Sequence, residues 1–440
     1  MMSLSIAMIV KNEEKNLPRC LSSVQGLAEE IIVVDTGSTD RTVAIAREFG
    51  AKVFHFDWVD DFAAARNASI AHCRGDWVLA LDADEAIDPT DHGVIRSALT
   101  EDGNQAFRIC MRNYLLNAGH TILDVLPVRN TSVYSIGSEF THFVDYMINA
   151  RIFRRFPDVS FSGRVHEVVD PYFESRGLAV GVTPAILHHF GKLDEQRQTY
   201  KKDFYLRLCE KDAVENLNDF RTLFNLMMQY RAAGKWESCL KAAEAFTRVQ
   251  KNVPATVFLT AATCHRNLGD LAAALHWIEK ALLLEPAHAG ALADKGACLI
   301  LQDKLSEACV FLQRSIEIQP GYTVPHLLLS DVKLRLGSPE AARSTLLRAI
   351  QANPTEEGLY TKLIQLSSSR GHLQSAGEDA ALALAALPNG GSGLWHRFMA
   401  VSQLEAGARE PALRTVELGL RAFPSDAGLE RLRAMCLPAL

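Results

Sequence analysis

A beat of about 34 residues runs through the second half of this chain. Gly234, Gly269, Asp303, Gly337, Gly371 and Gly407 recur at intervals of 35, 34, 34, 34 and 36 residues. Pro254, Pro286, Pro320, Pro354, Pro388 and Pro424 follow at intervals of 32, 34, 34, 34 and 36. Between them lie Ala- and Leu-rich stretches with helical spacing, such as Asn267 to Leu282. A helix pair of this length cannot bury its apolar face alone, so stacked neighbours must share one continuous core. Residues 213–440 are therefore expected to form an all-α solenoid of about six helix-turn-helix units.

Leu268-Gly269 at the turn and a proline after the second helix resemble the tetratricopeptide repeat. Two positions depart from the pattern: Asp303 stands where the turn takes glycine, and Ser315 stands in the place of the packing alanine Ala281. The resemblance implies a concave groove for a peptide or protein acceptor or partner, with a homodimer as the other use of such a surface. Trp236, Trp277 and Trp395 read as helix-packing residues.

Composition narrows the rest. Of 440 residues 48% are apolar and 22% charged, which argues against long disorder. The net charge of −6 gives no global basic footprint, so no nucleic-acid partner is expected. Nine cysteines, without a CxxC pair, read as free thiols in a reducing cytoplasm. No apolar run reaches the roughly 18 residues of a spanning helix. No signal peptide or transmembrane segment is expected, and peripheral membrane contact is left open.

The first 90 residues have a different texture. Leu4–Val10, Glu30–Asp35, Lys52–Phe56 and Asp76–Leu81 are short, nearly continuous apolar runs, expected as buried strands. Helices are expected over 16–26, over 41–49 with Asp40 as N-cap, and over 62–73, with Gly50 and Gly75 as stops. Repeated β-α units imply a mainly parallel sheet covered on both faces, with ligands bound beyond the carboxyl ends of the strands. Those ends carry Asp35 and the pair Asp82/Asp84. In an extended segment both members of Asp82-Ala83-Asp84 would face one ligand, and hard oxygen donors suit Mg²⁺ or Mn²⁺ held with phosphate oxygens. By itself the segment also reads as a solvated acidic turn, since Glu85 and Asp88 continue the acidity.

Met8-Ile9-Val10-Lys11-Asn12-Glu13, Val33-Val34-Asp35-Thr36-Gly37-Ser38-Thr39-Asp40, Ala65-Arg66-Asn67 and Leu81-Asp82-Ala83-Asp84-Glu85 resemble, in that order, the motifs of family 2 glycosyltransferases. Arg151-Ile152-Phe153-Arg154, Gly163-Arg164-Val165-His166-Glu167 and His188-His189-Phe190-Gly191 are similar to later motifs of a subgroup joined to tetratricopeptide repeats, the layout of sublancin-type peptide glycosyltransferases. The resemblance implies an α/β GT-A domain over residues 1–200 that binds a nucleotide-sugar donor. Asp35 would accept from the uracil imide, and Val10, Asn12 and Glu13 would line the base pocket. Arg66 would reach the uridine or diphosphate, supported by Asn67; Asp82 would contact the ribose, beside Ala83. Asp84 would ligate Mn²⁺ or Mg²⁺ with His189, or alternatively His188. Lys11 stands where many relatives carry an aromatic residue on the base.

The resemblance implies inverting transfer, with Glu167 as the expected base and Asp145 and Asp124 in reserve. Residues Tyr114–Tyr146 are read as a candidate acceptor lid. His166 is a further candidate contact for metal or diphosphate. Two other readings compete with a UDP-sugar transferase serving a peptide or protein. One is a nucleotide-binding scaffold with an inactive transferase domain. The other is a transferase acting on a cell-envelope glycan or lipid. A nucleotidyltransferase would want a Gly-rich phosphate loop near the start, and Met8–Glu13 contains no glycine.

Overall fold

The computed structural model describes residues 2–101, 103–115, 127–191, 195–369, 371–387 and 393–437, without the side chains of 195–202. Two units divide the chain, one running to Leu268 and one starting at Gly269.

Strands β1 (Leu4–Val10), β2 (Glu30–Asp35), β3 (Lys52–His55) and β4 (Trp77–Ala80) pair in parallel in the order β3-β2-β1-β4. Their continuous apolar runs suit this position, because both faces are covered. Leu4, Ile6 and Met8 pack with Leu17 and Leu21 of α1 (Leu17–Ser23) and Ile45 of α2 (Thr42–Glu48). Ala7, Ile32 and Ala80 pack on the other side with Ala63 and Ile70 of α3 (Phe62–His72) and with Phe161 and Phe173. The chain runs from β1 outward through β2 and β3, then returns to place β4 on the other flank of β1. That reversal opens a crevice at the carboxyl ends of β1 and β4.

The four strands read as β-α repeats pair in parallel as expected, and beyond β4 the sheet is mixed. Strands β5 (Glu85–Ile87), β6 (Ala106–Leu115), β7 (Val128–Arg129), β8 (His142–Arg154) and β9 (Val180–His189) complete nine strands in the path β3-β2-β1-β4-β8-β6-β9-β5, with β7 on β8. β8 runs antiparallel to both β4 and β6, β6 is parallel to β9, and β9 is antiparallel to β5. The β-α signal that specifies parallel pairing ends at β4, and the residues after it carry no such repeat.

Two local expectations shift. The second helix starts at Thr42 with Arg41 at the N-cap position, and Asp40, two residues ahead of the helix start, accepts from the Thr42 amide at 2.9 Å and from its hydroxyl. Gly75 is not a helix stop, since α3 ends at His72. A Cβ at Gly75 would lie 2.7 Å from Ser5 Oγ and 2.8 Å from Ser5 N, so close approach to β1 requires glycine there.

Six further helices are described in the first unit: α4 (His92–Ala98) and α5 (Asp170–Ser175) belong to the sheet region, while α6 (Glu195–Glu215) and α7 (Phe220–Ala232) open the helical half. They continue into α8 (Trp236–Val249) and α9 (Ala255–Asn267). The second unit holds α10 (Leu271–Leu284), α11 (Ala289–Leu301), α12 (Leu305–Ile318), α13 (Thr323–Arg335), α14 (Pro339–Ala352), α15 (Glu357–Ser369), α16 (Leu373–Ala386), α17 (Leu394–Glu405), α18 (Arg409–Ala422) and α19 (Ala427–Cys436). The turn positions all have positive φ: 69° at Gly234, 86° at Gly269, 74° at Gly337, 73° at Gly371 and 75° at Gly407, with Asp303 at 62°. Ser315 is fully buried, yet its hydroxyl donates to the Ala289 carbonyl at 2.7 Å, so the polar atom is satisfied. Trp395 is buried in the helical core and donates to Thr361 Oγ1 at 3.2 Å. All nine cysteines are free thiols. No helix among the described residues is long and apolar enough to cross a membrane.

Candidate active site

The carboxyl ends of β1 and β2 meet through register pairing of Val10 with Asp35, and Asp35 in turn pairs with His55 on β3. Asp35 folds its carboxylate over the next turn, accepting from Gly37 N at 3.2 Å and Ser38 N at 3.1 Å. The Val10 carbonyl accepts from the Thr36 amide and hydroxyl. Asn12, at φ 56°, accepts from Thr39 N at 2.7 Å and donates its own amide to Ser38 Oγ. The Glu13 amide donates to Thr42 Oγ1 at 2.7 Å. These bonds fasten the Asn12–Glu13 loop to the Gly37–Thr42 turn and leave a polar rim beside Asp35.

At the end of β4, Asp82-Ala83-Asp84 is a turn closed by Glu85 N donating to Asp82 O at 3.0 Å. The expectation of an extended segment is corrected, because Glu85 also draws the backbone back by accepting from Asp82 N at 2.8 Å. The two carboxylates therefore meet different neighbours, and the Ala83 side chain sinks into the apolar core.

Asp82 belongs to a dense charge cluster. Arg66 on α3 donates through Nη2 to Asp82 Oδ1 and through Nε to Glu167 Oε1 at 2.7 Å. Arg151 on β8 reaches Glu85 Oε1 at 3.0 Å and Asp82 Oδ2 at 3.4 Å. Burial pushes the Asp82 carboxyl up, but Arg66 and Arg151 outweigh it and hold the group well below the usual carboxylate range. Burial dominates at Glu85 and pushes it up to about 8 against the pull of Arg151. The Asp82 side chain is 32% exposed, so it faces the crevice as well as the cluster.

Asp84 turns the other way. Its Oδ1 stands 3.8 Å from His189 Nε2, and His189 Nδ1 lies 2.6 Å from Asn113 Oδ1. A Cβ at Gly191 would sit 2.5 Å from Asp84 Oδ2 and 2.6 Å from His189 Nε2, so the close approach of both side chains requires glycine there. One carboxylate and one imidazole side by side are a donor pair that Mn²⁺ accepts, and the carboxylate alone suits Mg²⁺. Among the described residues there is no group of three or more His, Cys, Asp or Glu side chains arranged for a metal. His188 faces the opposite side of β9: it is fully buried, its Nδ1 meets the Tyr114 hydroxyl at 2.8 Å, and burial together with Arg112 pushes it down to about 4.

Asn67 does not face the crevice. It donates to Phe161 O at 3.1 Å and accepts from Phe161 N at 2.7 Å, pinning the segment that leads to Glu167. That segment closes through the paired Ser162 and Val168 and is held from outside by α6, where Glu215 takes Arg164 at 2.8 Å. His166, at φ 53°, is exposed beside Tyr205 and Gln229. Asp145 is engaged by Arg112 at 2.9 and 2.7 Å. Asp124, and part of the Tyr114–Tyr146 stretch, lie outside the described residues.

Asn113 carries no sequence signal of its own, and Glu85 and Arg151 lie within motifs that assign them no role. Arg151 opens a family-like motif, but only the antiparallel pairing of β8 with β4 brings it beside Asp82.

Residues 5–125 match the family described as glycosyl transferase family 2, and residues 255–288 match the tetratricopeptide repeat. A TPR repeat-containing protein of Synechococcus elongatus is 33% identical over 295 residues, covering 64% of this chain and 66% of that one. The lipopolysaccharide core biosynthesis glycosyltransferase LpsC of Rhizobium meliloti is 27% identical over 219 residues, covering 48% and 72%. The prophage-derived glycosyltransferase SunS of Bacillus subtilis is 36% identical over 95 residues, covering 21% and 22%. The chain thus spans just under two thirds of the Synechococcus protein and about a fifth of SunS. By the motifs, the sheet that gathers them and these matches, the chain carries a glycosyltransferase family 2 domain followed by tetratricopeptide repeats.

Proposed function

We propose that the first unit is a metal-dependent, inverting glycosyltransferase moving a hexosyl or N-acetylhexosaminyl group from a UDP-sugar to an acceptor. The observation that carries this reading is the placement of Asp35 at the carboxyl end of β2 and of Asp82 and Asp84 after β4, on the two flanks of β1, with Arg66 as the partner of Asp82 and His189 beside Asp84. Asp35 would accept from the uracil imide, Asp82 would hold the ribose, and Arg66 would face the diphosphate. Asp84 and His189 would hold the cation, with phosphate oxygens and water as its other ligands. The bound ion would stabilise the charge that builds on the departing diphosphate.

The acceptor atom attacks the anomeric carbon from the face opposite the phosphate. As that bond forms, the bond to the phosphate oxygen breaks and UDP leaves with the electron pair. Glu167 holds Arg66 through Oε1, and Oε2 would take the acceptor's proton. The repeats favour a peptide or protein acceptor, since tetratricopeptide stacks offer concave surfaces for extended segments. The likeness to LpsC, a lipopolysaccharide core biosynthesis glycosyltransferase, supports a cell-envelope glycan as the second reading.

A donor-hydrolysis screen over UDP-, GDP- and dTDP-sugars, with and without Mn²⁺, tests the proposal. Turnover of a UDP-sugar that needs Mn²⁺ and disappears in Asp84→Ala is the expected result. UDP binding without turnover of any donor would support the scaffold reading instead.

A further inference from the structure

We propose that Asn113 is a positioning residue: it holds His189 in the tautomer protonated at Nδ1, so that Nε2 offers its lone pair toward Asp84 and a divalent cation. This rests on the metal reading above. β6 and β9 run parallel with Asn113 in register with His189, which fixes the two side chains as neighbours. The Asn113 Oδ1 to His189 Nδ1 distance of 2.6 Å is that of a strong hydrogen bond. A neutral imidazole carries one donor and one acceptor, so a proton on Nδ1 leaves Nε2 as the acceptor.

Nε2 lies 3.8 Å from Asp84 Oδ1, and both side chains pack against Gly191, where a Cβ would stand 2.5 Å from Asp84 Oδ2 and 2.6 Å from Nε2. Asn113 is also an unexpected residue for its place. It is fully buried in a strand, and its Nδ2 lies toward the Tyr146 hydroxyl without a well-formed hydrogen bond. Such a buried amide costs the fold stability, and an apolar side chain would pack there more cheaply. Orientation of His189 accounts for it. The opposite amide orientation would have Nδ2 donating to Nδ1, would protonate Nε2, and would make His189 a plain ion-pair partner of Asp84.

Two measurements on the full chain separate these cases without relying on turnover. In the first, Mn²⁺ alone is titrated and the free-ion EPR signal is read. Wild type should bind and Asp84→Ala should not. Asn113→Leu should weaken binding roughly 10- to 100-fold, as loss of a group behind a histidine ligand does. Asn113→Asp, which still accepts from Nδ1, should restore most of the affinity. Wild-type affinity in Asn113→Leu, with binding lost in Asp84→Ala, overturns the positioning role alone. Wild-type affinity in Asp84→Ala overturns the metal reading itself.

The second measurement needs no Asn113 variant, and so stands even if Asn113→Leu fails to fold. In the metal-free wild-type chain, ¹⁵N-histidine NMR should show the His189 proton on Nδ1, the signal being identified by its loss in His189→Gln. A proton on Nε2 overturns the inference.

Discussion

Arg66 Nε donates to Glu167 Oε1 at 2.7 Å, joining helix α3 to a loop 101 residues further along the chain. The same guanidinium holds Asp82, so one cation keeps two carboxylates together in a largely buried place. The pairing makes fold and chemistry separable by mutation.

Arg66→Ala should destabilise the first unit by about 3 kcal/mol, because it removes the counter-ion of the largely buried Glu167 and leaves Asp82 with Arg151 alone. Urea unfolding at neutral pH measures this. Glu167→Gln keeps an oxygen for Arg66 and should fold normally. It should lower transfer by about 10²-fold or more while leaving UDP affinity unchanged, as expected for a lost proton acceptor. Wild-type transfer in that variant would move the base elsewhere.

Gly191→Ala should abolish Mn²⁺ binding with little effect on the melting temperature. Its Cβ would meet Asp84 Oδ2 and His189 Nε2 and would push apart the two atoms proposed to share the cation. Isothermal titration with Mn²⁺ and UDP reads the loss; undiminished metal affinity would exclude this pair as the ligands.

Glu30 ties three strands to the turn that precedes β4. It accepts from Lys52 Nζ at 2.8 Å, Ser5 Oγ at 2.7 Å and Arg74 N at 2.6 Å, and Ser5 Oγ accepts from Gly75 N. Burial would raise its pKa, but these donors outweigh burial and hold it at about 2 rather than 4.5. The folded state therefore prefers the ionised form: the stabilisation is complete above pH 4.5 and is lost as pH falls toward 2. Glu30→Gln should cost about 2 kcal/mol at pH 7 and progressively less below pH 4.5. Urea midpoints of both proteins at pH 7 and pH 3 check it, and a pH-independent difference would refute the assignment.

Asp303→Gly should raise stability by up to about 1 kcal/mol, since a non-glycine residue pays a steric cost in the left-handed region. Asp303 sits there at φ 62°, with Arg335 as an exposed ion-pair partner whose loss costs little. Gly337→Ala, at the equivalent turn, should shift the melting temperature downward. Thermal melts of the two variants should move in opposite directions.

Much of this architecture was legible along the chain because it is written in periods. The turn positions from Gly234 to Gly407 share one backbone conformation, and spacing alone located all six. The four parallel strands were legible for a related reason: a strand buried on both faces needs a continuous apolar run, and few other elements do. Beyond Ile87 that signal stops. The long strands β6, β8 and β9 take their directions from which neighbours they find, and the mixed sheet followed from pairing that no local pattern encodes.

The site divides the same way. Local sequence determined which carboxylates end the strands: Asp35, Asp82 and Asp84 lie where β-α turns put polar residues, and their identity is a matter of chain order. Only tertiary structure decided what each one touches. Glu85 curled the Asp82–Asp84 segment into a turn and sent its two acids apart; β8 carried Arg151 to one, and β9 carried His189 to the other. The choice between His188 and His189 belongs to the same class. Adjacent residues on a strand point to opposite faces, and which face met Asp84 and which met Tyr114 was set by the pairing of β9 with β5 and β6. Contacts between residues far apart in sequence depend on register and packing, and those are properties of the folded chain as a whole.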